Sequence, residues 1–140
     1  MRVHPAFLEG LLKESDTALA GLADWALSTS PDKELHETIR DKYLSASPEL
    51  IRGDLSACDQ FDVMNQIGTV ALPTWIVACE DDRLTPVKYS GFLHESIRGS
   101  TLAIIPGAGH LVMMEQPEEF NQLLAAFLAQ AFGNSQRPAR

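Results

Sequence analysis

The sequence predicts an α/β fold: a purely helical segment followed by two parallel strands, each trailed by a helix. Three observations lead there. Apolar residues in the first sixty or so positions recur at helical spacing, with no strand pattern. Two later runs, within "LPTWIVACE" and "STLAIIPG", are continuously apolar rather than alternating, as buried parallel strands are. Each run gives way to a helical pattern again, so the order is strand, helix, strand, helix, the grammar of a parallel sheet. With 140 residues, 45% of them apolar, the chain has material for one packed core.

Taken in order, Pro5 opens a helix with Phe7, Leu8, Leu11 and Leu12 on one face. Ser15-Asp16 is expected to cap a second helix, whose stripe is Leu19, Leu22, Trp25 and Ala26. In the third, Ser30 or Asp32 supplies the cap, and Leu35, Ile39, Tyr43 and Leu44 the apolar face. Ser47 caps a fourth helix with Pro48 at its first position. The first strand centres on Trp75, Ile76 and Val77, and the second runs from Leu102 to Ile105. Between them a helix is expected from Pro86 or Val87 to about Ile97. In the closing helix Pro117 stands in the first turn, and Glu118 and Glu119 complement its dipole. Its expected buried face is Phe120, Leu123, Leu124, Phe127 and Leu128. The organisation is thus a helical segment over 1–62, a strand-and-helix unit over 63–132 and a frayed tail over 133–140.

Charge narrows the function classes. The formal net charge is −8, and an acidic surface repels phosphate backbones and anionic lipid, so no nucleic acid or membrane partner is expected. The amino terminus carries Glu9, Lys13, Glu14 and Asp16 where a signal peptide has its apolar core. Cys58 and Cys79 form no CxxC or Cys/His cluster, so neither a metal site nor a disulfide scaffold is expected, and the cytoplasm is the default compartment. Two strands leave unpaired backbone at the sheet edge, which leads to an expected homodimer covering that edge.

Chemistry collects at the carboxyl ends of parallel strands. The first strand ends in "CEDDRLTP" and the second in "PGAGH". On spacing alone, Glu80 to Asp82 read as a solvated loop, Asp82 as a helix cap and His110 as a turn residue. Their combination points further. In a right-handed βαβ unit the two loops are neighbours, so Asp82 can fix one ring nitrogen of His110 and leave the other to accept a proton. Gly107 and Gly109 are expected to give the turn its backbone freedom. His4, His36 and His94 lie in or beside polar helical stretches and suggest no site.

From Leu72 to Leu128 the chain resembles the carboxyl-terminal part of the α/β-hydrolase fold family. The residues that carry the resemblance are Asp82-Arg83-Leu84-Thr85-Pro86 as D-x-x-x-P, Gly107-Ala108-Gly109-His110 as G-x-G-H, and Glu115, Pro117 and Phe120 as E-x-P-x-x-F. Where the family often has glycine, this chain has Cys79, which reads as buried and inert. The resemblance implies catalytic roles for Asp82 and His110, no cofactor, and a small-molecule substrate for the full-length enzyme. It also implies that the helical first half is a lid or cap, with Phe7, Leu8, Leu11, Leu22 and Trp25 as pocket candidates. None of the chain's serines lies in the family's G-x-S-x-G nucleophile elbow. The expectation is therefore a carboxyl-terminal portion of a serine-type hydrolase for small ester, acyl or C–C bonded substrates, inactive alone. Two alternatives stand beside it: a non-catalytic dimerisation or binding module, and a half completed in trans.

Overall fold

The computed structural model describes residues 3–133. Residues 134–140, nearly all of the expected tail, lie outside the described residues. Four helices come first: α1 (Pro5–Lys13), α2 (Ser15–Ala26), α3 (Lys33–Leu44) and α4 (Pro48–Gln60). A 3-10 turn over Met64–Thr69 leads to β1 (Trp75–Cys79), α5 (Val87–Ser96), β2 (Thr101–Ile105), the short α6 (Val112–Glu115) and α7 (Pro117–Phe132).

The strands pair in parallel, from Trp75 opposite Thr101 to Cys79 opposite Ile105. Alternation along β1 turns Trp75, Val77 and Cys79 to one face. There Trp75 meets Phe120 and Phe127 of α7 at ring-centroid distances of 5.7 and 6.0 Å. Val77, Phe120 and Leu123 close over a core of Cys79, Ile105, Ala108 and Val112. A second core, Ala23, Leu27 and Ile39, joins α2 to α3 and is sealed by Leu111 from the loop after β2. The helical half is thereby packed onto the site's own loop.

Several sequence expectations need correction. Ser15 is the first residue of α2 rather than its cap; Glu14 holds that position with no side-chain cap bond, its N–H satisfied by Gly10 O at 2.8 Å. The two helices abut at a corner, which leaves no room for a capping residue of α2 alone. Asp32, not Ser30, caps α3, accepting from Leu35 N at 3.0 Å. Ser47 caps α4 as expected. The expected buried face of α7 is only half-buried at Phe120, Leu123, Leu124 and Phe127 and exposed at Leu128, because α7 meets its neighbours along only part of the predicted stripe; Leu12, on the apolar face of α1, is exposed as well. The helical turn α6 had no clear periodic signal, being four residues long.

Candidate active site

Past the last strand pair, backbone bonds continue to zip the two loops together. Glu80 N–H donates to Ile105 O at 3.1 Å and Asp81 N–H to Ala108 O at 3.0 Å. This extension brings Asp82 beside His110, although 28 positions separate them.

Asp82 is buried and fully engaged. Its Oδ1 accepts from the N–H groups of Leu84 at 2.9 Å and Thr85 at 2.8 Å, closing a turn that leads into α5. Its Oδ2 accepts from the Thr85 hydroxyl at 2.7 Å and lies 2.9 Å from His110 Nδ1. Burial disfavours the Asp82 carboxylate, but the Thr85 N–H, the Thr85 hydroxyl and His110 together outweigh it and hold the carboxyl below its ordinary value. A carboxylate accepting from Nδ1 requires the proton there, so in the neutral ring Nε2 carries the lone pair. That nitrogen has no hydrogen-bond partner among the described residues, and the side chain is 41% exposed.

His110 stands on the wall of a cavity of about 690 Å³ whose lining includes Phe7, Leu22, Trp25, Tyr43, Leu55 and Leu84. Phe7 and Trp25 stack at 5.7 Å. Of the pocket candidates, Phe7, Leu22 and Trp25 line this space; Leu8 does not, and Leu11 is fully buried in the interior instead.

The two glycines of the histidine turn serve different needs. Gly107 has φ +63°, a left-handed angle that favours glycine. Gly109 does not need a positive φ. A Cβ there would meet Leu27 C at 2.3 Å and Ser28 N at 2.4 Å, so glycine is required for close approach. Cys79 is buried, and desolvation, helped by the charges of Asp82 and Glu115, pushes its thiol up to about 11, which keeps it from acting as a thiolate nucleophile. Among the described residues no three His, Cys, Asp or Glu side chains converge as metal ligands would, and no helix is long and apolar enough to cross a membrane.

Sequence reasoning missed Thr85, which touches both members of the pair: its hydroxyl is 3.2 Å from His110 Nδ1. A threonine three residues after the acid, where its N–H and hydroxyl can return to the carboxylate, was the available signal.

No family model matches the chain. By sequence it is 31% identical over 107 residues to the putative carbamate hydrolase RutD of Caulobacter sp. (strain K31), an alignment covering 76% of this chain and 40% of that protein. By structure it superposes on a thermophilic esterase with a TM-score of 0.84 and 38% identity, over 94% of this chain and 52% of the esterase. The chain belongs to the α/β-hydrolase superfamily. The bromoperoxidase of Bacillus anthracis, 22% identical, shares the fold, with a TM-score of 0.79. Within the α/β-hydrolase fold, this chain's strands and helices match the carboxyl-terminal part. The chain spans about half the length or less of these relatives: 52% of the esterase, 47% of the bromoperoxidase and 40% of the RutD protein.

Proposed function

We propose that this chain supplies the acid and the base of a nucleophilic α/β hydrolase that cleaves small, largely apolar ester or other acyl substrates, C–C bonded acyl compounds included. One observation carries the reading: His110 Nδ1 is held by a buried Asp82 at 2.9 Å, while the ring stands on the wall of an apolar cavity. In this reading a serine outside these 140 residues attacks the carbonyl. His110 Nε2 takes the serine proton and returns it to the leaving group, and Asp82 fixes the tautomer and stabilises the imidazolium. Residues 1–62 act as the lid, with Phe7, Leu22 and Trp25 against the acyl group. No cofactor enters. Similarity to a carbamate hydrolase and an esterase supports acyl transfer to water over other chemistries of the superfamily.

The chain alone is expected to turn over little, because triad members act as a unit. The test joins it to the amino-terminal half of the thermophilic esterase, which carries the remainder of a matching fold, and follows p-nitrophenyl butyrate hydrolysis. Activity in the joined protein that His110→Ala and Asp82→Asn each abolish supports the proposal. Turnover that survives His110→Ala overturns it.

A second reading concerns the partner. The described residues form a two-stranded sheet, and so short a sheet is stable only when extended or covered. For the 140-residue chain by itself we infer a homodimer that covers this edge; in the longer hydrolase of the first reading, further strands would extend the sheet there. Sedimentation velocity showing a concentration-independent monomer would exclude it.

A further inference from the structure

The short connector between α2 and α3, with the last turn of α2, touches both site loops at the residues flanking the acid and the base. On the acid side, the Asp81 carboxylate accepts from Thr29 N at 3.0 Å and from the Thr29 hydroxyl at 2.8 Å. Arg83, on the other side of Asp82, donates to the carbonyls of Asp24 and Leu27. On the base side, Leu111 N–H donates to Ala26 O at 3.1 Å. Gly109, before His110, lies so close to the Leu27–Ser28 peptide that a Cβ has no room.

Glu115 completes the frame. Its Oε1 accepts from Gly109 N–H at 2.8 Å and its Oε2 from Ser28 N–H at 2.8 Å. One carboxylate thus ties the histidine turn to the connector, across 87 positions of sequence in the second bond. Hydrogen bonds to charged acceptors are the stronger kind, and because the two N–H donors face different oxygens of Glu115, an amide would turn its NH2 group toward one of them and lose that bond.

We propose that Glu115 is a positioning residue for His110, and that Asp24–Thr29 is the common frame against which Asp82 and His110 are set. The inference rests on reading Asp82 and His110 as the working pair. Glu115 touches neither the ring nor the cavity wall; it acts through the Gly109 backbone. If the frame is right, disturbing it moves His110 off Asp82 while leaving the strands and α7 in place.

The experiment uses the 15N-labelled chain and the slowly exchanging Nδ1–H proton resonance of His110, a signature of the bond to Asp82. Asp82→Asn tests that the resonance belongs to this pair. Glu115→Gln is expected to broaden or abolish it, with far-UV circular dichroism and the amide signals of β1, β2 and α7 unchanged, and Glu115→Asp to recover it in part. Asp81→Ala removes the oxygen that accepts both Thr29 bonds and is expected to weaken the resonance from the acid side. A resonance that Asp82→Asn removes but Glu115→Gln and Asp81→Ala leave intact overturns the frame and spares the pair. A parent chain without the resonance overturns both. If Glu115→Gln unfolds the chain, Asp81→Ala alone decides: an unchanged resonance counts against the frame, a weakened one for it.

Discussion

Helices α2 and α4 belong to the same helical half and are nearly equal in length, but they relate to the site in opposite ways. α2 buries Leu19, Ala20, Leu22, Ala23 and Ala26, and its carboxyl end is hydrogen-bonded to both site loops. α4 buries no residue, and Leu50 on it is 61% exposed. It packs on α1 and lends Leu55 and Cys58 to the cavity wall. The difference separates two tasks within one run of amphipathic helices. The inner pair, α2 and α3, is part of the site's foundation. The outer pair, α1 and α4, lends Phe7, Ile51, Leu55 and Cys58 to the cavity wall beside His110.

Substitutions can break that contrast. The largest effect is expected at Gly109, where a methyl group collides with backbone rather than with a yielding side chain. Gly109→Ala should lower the unfolding free energy by about 3 kcal/mol or more, at the upper end for overpacking, read as a lowered urea midpoint. Leu27→Ala empties a fully buried position beside α3 and should cost about 2 to 5 kcal/mol. Leu50→Ala on α4 should stay within about 0.5 kcal/mol. Equal losses at Leu27 and Leu50 would erase the distinction between inner and outer helices.

Asp82 adds a pH dependence. Its carboxyl is held below the ordinary value in the folded chain, so the folded state binds the proton less readily than the unfolded state does. Its stabilising contribution is full above the unfolded value of about 3.9 and disappears as pH falls through the lower, folded value. Asp82→Asn should therefore flatten the acid limb of a stability-against-pH curve measured by urea unfolding. An unchanged limb would remove Asp82 from the account. The smallest perturbation leaves stability alone: one thiol per native chain, Cys58 on α4, should react with Ellman's reagent, while Cys79 reacts only after unfolding. Rapid reaction of both would show that the sheet-side core opens readily.

Much of this was legible from residue order. The helices of nine residues or more, both strands, their parallel pairing and the Asp82–His110 pair follow from short-range signals: apolar period, proline and polar caps, and acidic and glycine turns at strand ends. The supporting contacts of the site were not. Glu115 could be placed in an E-x-P pattern, but nothing local showed that its carboxylate would reach Ser28 N–H and Gly109 N–H. Gly109 looked like a source of backbone freedom and proved to be a point of close approach. Leu11 and Leu128 carried the same apolar label, and one is fully buried and the other 46% exposed.

The amino-acid sequence by itself determined which segments are helix or strand and which two side chains meet at the sheet edge, because those outcomes depend on local conformational preference and on one right-handed crossover. Only the tertiary structure decided how the acid and the base are held. In the frame around them the side chains of Asp81, Arg83 and Glu115 end mainly on backbone N–H and carbonyl groups, which every residue carries alike, so no pattern of side chains could announce their partners.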